Sequence, residues 1–402
     1  VEKSKSKSNF CIRPFNSVAV TSTGEINICC SITSQLTKFK NFTPYNMKNT
    51  DLEKWWSSDY VKYVRKSFLE NKKLEECASC WKKEEAGVSS HRTRSNIEHK
   101  AIFKNKYRTN LSLLGKHDLA FPEDIELQIT NLCNLKCQMC RGSDSSRLLV
   151  ENNALGFEKL RQKDYDLDEV HYSKIKDMVK HDLSLISLMG GEPLFNKKII
   201  EILSLLIKNG KSQDIKLHIT TNGTICNNKI LNILKEFKDV RLMLSMEGTE
   251  KCNEYMRFPS SWAEIKNNIS QFKNLDNTYI YINTIVQNLN ILYVDKLIDY
   301  AYKNNFYIKL EKITRPDYLN MLNLPKKILQ KAHKRLSNIK EEKLIHAENV
   351  KEIILILENH LKNYVSDELK YQEFVSMIQK RDNYRKVNIK DYLPELANNL
   401  NL

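Results

Sequence analysis

Between about residues 124 and 315, short apolar runs alternate with amphipathic segments, and this alternation restricts the fold more than any other feature. The apolar runs lie at 125–129, 185–189, 215–220, 240–245, 279–286 and 306–311. Between them, KKIIEILSLLIKNG repeats Ile199, Ile202, Leu203, Leu206 and Ile207 at helical spacing until Gly210 ends the pattern. NKILNILKEF, WAEIKNNISQFKNL and LYVDKLIDYAYKNN behave alike. Strand–helix alternation calls for parallel strands joined by right-handed crossovers. Six strands are too few to close an eight-stranded barrel, so the expected fold is α/β, a partial (β/α)6 TIM-like barrel over residues 116–315. Residues 1–9 read as a disordered polar tail, 10–115 as a small cysteine-bearing N-terminal domain, and 316–402 as a helical, charged C-terminal region. Within the small domain the sequence predicts a hairpin over 18–28 turning at Gly24, then one helix over 51–71 with Asp51 as its N-cap.

The ten cysteines stand at positions 11, 29, 30, 77, 80, 133, 137, 140, 226 and 252. Disulfide frameworks belong to small secreted domains, whereas this is a 402-residue chain whose first residues, VEKSKSKSNF, hold no apolar signal core. Clustered thiols in such a chain point to metal binding in a reducing, cytoplasmic setting. No apolar run approaches the roughly 18–20 residues that span a bilayer, so no membrane partner is expected. The net charge of +15 is concentrated early: residues 1–120 carry 22 Lys and Arg against 12 Asp and Glu. That basic third is consistent with an anionic partner, and equally with a solvated lysine-rich surface.

The first strand runs into TNLCNLKCQMCRG, which places Cys133, Cys137 and Cys140 in a C-x3-C-x2-C loop. Three thiolates hold three irons of a 4Fe–4S cluster and leave the fourth open. The loop follows a strand, where barrel active sites are built. Structural zinc would need a fourth ligand, which this loop lacks. The next three strands end in MGGEP (189–193), TTNGT (220–224) and LSMEG (244–248), delivering glycines and polar groups to one rim.

With these motifs the chain resembles the radical S-adenosylmethionine (SAM) enzymes over roughly residues 122–315. The resemblance implies that SAM chelates the open iron through its amino and carboxylate groups. Reductive cleavage then yields a 5′-deoxyadenosyl radical, which abstracts a substrate hydrogen. It implies that Gly190, Gly191 and Glu192 hold the methionyl amine, that Asn222 and Ser245 meet the ribose or the methionyl carboxylate, and that Arg257 meets that carboxylate or the substrate. Met139 stands where the family usually has an aromatic residue and offers a similar apolar contact to the cofactor. Glu247 replaces an Asp common in the fourth-strand motif. An electron donor such as flavodoxin or ferredoxin is implied as partner.

A second set of cysteines precedes the barrel: Cys11, twelve residues, Gly24, four residues, Cys29, and later Cys77-Ala-Ser-Cys80 followed by Trp81. This pattern resembles the auxiliary-cluster segment of SPASM and twitch domains, here at the N-terminus. It implies a second 4Fe–4S cluster on Cys11, Cys29, Cys77 and Cys80. Zinc competes for the same four ligands, and Cys30 competes with Cys29. Cys226 and Cys252 read as small buried residues. In the resembling families such segments accompany peptide or protein modification, so a peptide or protein is the expected substrate, with a small molecule (a sugar or amino acid derivative) or RNA as alternatives. A groove lined by Arg92, Arg94 and Lys100 would favour an anionic substrate. The non-enzyme alternative is a basic zinc-binding nucleic-acid module.

Overall fold

The computed structural model describes residues 8–32, 45–99, 120–165 and 167–400. The tail expected over residues 1–9 thus falls almost wholly outside the described residues, as does Lys100. The chain packs into two units, one of residues 1–130, 163–190 and 201–217, the other of 131–162, 191–200 and 218–402.

In the first unit the hairpin forms as the sequence predicts. Strand β1 (Ser17–Val20) pairs antiparallel with β2 (Ile26–Asn27), through Ala19 opposite Asn27 and Val20 opposite Ile26. Gly24 turns the chain at φ +81°, a conformation that costs a side-chain-bearing residue steric strain. Beyond the expected hairpin, β1 also pairs in parallel with β3 (Asp124–Leu127), which pairs with β4 (Leu185–Leu188). The N-terminal segment therefore adds strands to the sheet instead of standing apart. Ile125, Leu127, Ile186 and Leu188 are buried on one face. Asp124 and Glu126 alternate with them and are equally buried, which requires a cation; Arg13 supplies it, with Nη1 2.7 Å from Asp124 Oδ2 and Nη2 paired to Glu126.

The single helix expected over 51–71 is two helices, Leu52–Trp56 and Asp59–Leu69. Asp51 does cap the first, accepting the Lys54 N–H. The break arises because Ser58 is extended (ψ 157°) and its hydroxyl accepts the Val61 N–H, so a second N-cap outcompetes helical continuation.

Strand β5 (Lys216–Thr221) runs from the first unit into the second. There β6 (Asp239–Ser245), β7 (Thr278–Val286) and β8 (Tyr307–Lys312) pair in parallel. Leu242, Leu244, Ile282, Val286, Ile308 and Leu310 are buried, alternating with half-buried Met243, Ser245, Tyr281, Asn283 and Lys309. A sheet with one buried, mostly apolar face, which also takes in Thr284, and one half-exposed mixed face results. The C-terminal region contributes helices, and Ile328, Ile353, Leu357, Phe374 and Ile378 join the same core. A short strand not foreseen, β9 (Ala347–Glu348), extends the sheet beside β8. Among the described residues no helix is long and apolar enough to cross a membrane.

Candidate functional site: two groups of cysteines

In the second unit the loop bearing Cys133, Cys137 and Cys140 is fixed mainly by its backbone. The Lys136 N–H donates to Phe258 O at 2.6 Å and the Gln138 N–H to Met256 O at 2.8 Å. Ser145 caps the helix Ser146–Ala154 and also donates its hydroxyl to Leu135 O at 2.7 Å, while Ser146 Oγ accepts the Cys133 N–H. Cys133 and Cys137 are buried with Leu135, and Met139 and Cys140 pack against them. Burial pushes all three thiols up, Cys133 to about 12, and each is raised further by a neighbouring acid or by another thiol of the three. Two buried thiols and a half-buried third, carried by one short loop, stay protonated until a metal binds, so this donor set fits a cluster.

Arg257 faces the same loop. Its Nη1 lies 3.6 Å from Cys137 Sγ and its Nη2 pairs with the fully buried Glu247, whose other oxygen accepts the Ile285 N–H. Its Nε is buried and has no hydrogen-bond acceptor among the described residues. An orphaned guanidinium nitrogen beside three thiols suits an anionic ligand.

The GGEP corner shows why two glycines are needed. Gly190 and Gly191 both have positive φ (+80° and +54°). A Cβ on Gly190 would come within 2.1 Å of Gln128 Cγ, and one on Gly191 within 2.3 Å of Leu132 O in the cysteine loop. Gly191→Ala is expected to cost ~1–2 kcal/mol from its left-handed backbone alone. The clash adds to this and pushes away the Leu132 carbonyl that accepts the Glu192 N–H. Weakened SAM binding by calorimetry, together with a lowered melting temperature, checks this.

Glu192 is 1% exposed and its carboxylate is fully occupied by the chain: it accepts from Leu194 N, Thr221 Oγ1 (2.8 Å) and Asn222 N (2.7 Å). Burial raises it to about 6 against these bonds. Asn222 likewise turns inward, donating to Asn134 Oδ1 and accepting from Thr224 N and Oγ1, which ties the end of β5 to the cysteine loop. Ser245 ends β6, half-buried, in register with Asn283.

In the first unit Cys11, Cys29, Cys77 and Cys80 line one pocket. The hairpin carries Cys11 and Cys29 to it, and the helix Ala78–Glu85 begins at Cys77 with Cys80 in its first turn. A helix N-terminus favours thiolates through its unpaired N–H groups. Burial pushes Cys11 up to about 12 and raises Cys29 and Cys77 well above the ordinary thiol range. Cys30 is absent from that lining. Its N–H donates to Glu126 Oε2 at 2.8 Å, and it meets His91 and Glu126 within 4.8 Å. Glu126 is already neutralised by Arg13, so this trio disfavours a cation. Arg92, expected at an anion-binding groove, is committed elsewhere: it forks onto Glu84, donates to Phe10 O and lies over the Trp81 ring.

The Arg13–Glu126 pair carries a pH signature. Burial favours neutral Glu126, but the Arg13 charge and bonds from His91 and Cys30 outweigh it and hold the carboxyl at about 2. This stabilisation is complete above the ordinary carboxylate pKa and is lost as pH falls through the folded value. Arg13→Met is therefore expected to cost ~3–5 kcal/mol at pH 7 by leaving buried carboxylates unpaired. The deficit shrinks below about pH 5 as they protonate. Urea unfolding at the two pH values measures it.

Sequence reasoning missed Arg13 and Glu151, and it missed Arg381 and Arg385, which reach the cysteine loop from a distant helix. Basic residues in a charged helix carry no sequence signal that separates them from a solvated face.

Comparison with known proteins completes the picture. The chain is 27% identical over 198 residues to the radical SAM cyclopropyl synthase TigE of Paramaledivibacter caminithermalis, covering 45% of this chain and 39% of that one. It is 24% identical over 219 residues to a GTP 3′,8-cyclase of Clostridium perfringens (51% and 63%) and 23% identical over 192 residues to the sporulation killing factor maturation protein SkfB of Bacillus subtilis (46% and 42%). The chain spans about half the length of the curated relatives it matches. Residues 127–301 match the family model of the radical SAM superfamily and residues 11–81 that of the SPASM iron–sulfur cluster-binding domain. The chain thus carries a radical SAM domain over residues 127–301 preceded by a SPASM segment over residues 11–81, with a SAM-binding 4Fe–4S cluster, SAM and an auxiliary 4Fe–4S cluster as the cofactors of these domains.

Proposed function

We propose that this chain reductively cleaves SAM and uses the resulting radical to modify a peptide or protein. Cys133, Cys137 and Cys140 would hold the SAM-binding cluster, and Cys11, Cys29, Cys77 and Cys80 the auxiliary one. When bound, the first cluster would supply the single electron for reductive cleavage of the S–C5′ bond of SAM, and so the radical chemistry that takes a hydrogen atom from the substrate. The chain's own residues bind and orient. Arg257 offers its free Nε to the methionyl carboxylate, with Glu247 keeping the guanidinium in place. The Gly191 backbone brings the corner close enough for the methionyl amine. Glu192 and Asn222 hold the rim by tying Thr221 and Asn134 together, and Ser245 presents its hydroxyl toward the ribose. Met139 lends an apolar wall.

The single observation carrying this reading is the packing of Cys133, Cys137 and Cys140 in one loop, with Arg257 and its orphaned Nε against Cys137. A peptide substrate is favoured by the SPASM segment, and the relative named for maturation of a killing factor agrees with it. A small molecule is the second reading, favoured by the similarity to GTP 3′,8-cyclases. Flavodoxin or ferredoxin in a reducing cytoplasm would supply the electron. The test is anaerobic incubation of reconstituted protein with dithionite, SAM and either peptides translated from any short reading frames adjacent to its gene or GTP. 5′-Deoxyadenosine with a mass change in the peptide supports the first reading. Consumption of GTP supports the second, and zinc without iron or 5′-deoxyadenosine refutes both.

A further inference from the structure

The helix Glu368–Arg385 lies in a region the sequence marks only as charged, yet it sends two arginines into the interior of the second unit. Arg381 and Arg385 are 3% and 7% exposed. Arg381 Nη1 donates to Gln138 O at 3.1 Å and to Gln138 Oε1 at 3.2 Å, and its Nη2 donates to Asn152 Oδ1. Arg385 Nη2 donates to Lys136 O at 2.7 Å, and the same guanidinium forks onto Glu151 through Nε and Nη2. The carbonyls immediately before and after Cys137 are thus each held by an arginine more than 240 positions away in sequence.

Charge makes the arrangement stranger than a packing device. Lys136, Arg381 and Arg385 all converge on Glu151, the one carboxylate within 4.0 Å of them among the described residues. Asp382, their neighbour on the helix, is turned away to the Tyr255 hydroxyl and the Ile389 N–H. Two buried guanidinium groups and a half-buried ammonium against one carboxylate are costly unless further negative charge sits close by.

We infer that Arg381 and Arg385 are positioning residues for the SAM-binding cluster: they clamp the carbonyls flanking Cys137 and supply the positive charge that makes a cluster there easier to reduce. This rests on the reading that Cys133, Cys137 and Cys140 hold that cluster. Lysine keeps the charge and loses the planar fork, whereas methionine loses both. The two effects are therefore separable.

The test uses the full chain in a Cys77→Ala/Cys80→Ala background, so that one cluster is observed, and compares Arg381→Lys, Arg381→Met and the paired change Arg385→Met/Glu151→Met, which leaves no carboxylate stranded. Redox titration followed by electron paramagnetic resonance reads the midpoint potential, chelator challenge reads iron loss, and circular dichroism confirms folding. In Arg381→Met the reduced-to-oxidised ratio at fixed poise should fall about tenfold, a shift of about 59 mV to lower potential for one electron. In Arg381→Lys the potential should hold while iron is lost several-fold faster. A folded Arg381→Met and a folded paired variant that both keep the parent potential and iron retention overturn the inference with the cluster assignment intact. A parent that assembles no cluster overturns the assignment and this inference with it. Should Arg381→Met fail to fold, the Lys variant and the paired variant decide.

Discussion

Cys137→Ala is expected to reduce 5′-deoxyadenosine formation to the background of SAM alone. Cys137 is the middle thiol of the three, and its sulfur is the one that Arg257 approaches at 3.6 Å. Alanine fits the space without strain, since the loop is held by main-chain bonds at Lys136, Gln138 and Leu135 that the substitution leaves in place. Folding should therefore persist while the ligand set falls to two, too few to hold a cluster that already lacks a fourth protein ligand. The paired measurements are iron content and 5′-deoxyadenosine by liquid chromatography. A folded variant that still cleaves SAM at the parent rate would contradict the assignment.

Cys80→Ala is expected to uncouple the two halves of the reaction. The residue lies in the first turn of its helix and lines the cavity shared with Cys11, Cys29 and Cys77. On the proposed assignment its loss removes one of four ligands from the auxiliary site and leaves Cys133, Cys137 and Cys140 in place. Iron should fall from about eight to about four per chain. SAM cleavage should continue at least in part, while conversion of the substrate stops. Loss of both activities together in a folded, four-iron protein would show that the auxiliary cluster is needed for cleavage itself.

Much of this architecture could be read in advance because its signals are local. Each of the six apolar runs became a strand within two residues at either end, because a period-two alternation between glycine- and polar-rich ends leaves little choice. The hairpin turned at Gly24 for the same reason. Where local signals competed, the outcome was less legible: the helix over 51–71 broke because Ser58 could cap as well as continue. Features that depend on distant partners left no trace. Nothing in SVAV announces that β1 would pair with β3, and Ala347–Glu348 is too short to show a pattern. The cysteine loop was legible because its spacing is short. Arg381 and Arg385 were not, because their partners Gln138 and Lys136 lie across most of the chain. Cys29 and Cys30 are adjacent in sequence and diverge only in space, one toward the cavity and the other toward Glu126.

The account stands or falls on whether the metal held by Cys133, Cys137 and Cys140 keeps a position free for SAM. Reduced protein carrying Cys77→Ala and Cys80→Ala should show the electron paramagnetic resonance signal of a single 4Fe–4S cluster, and adding SAM should shift its g-values. A signal that SAM leaves unchanged, or no cluster at all in the folded protein, would contradict it.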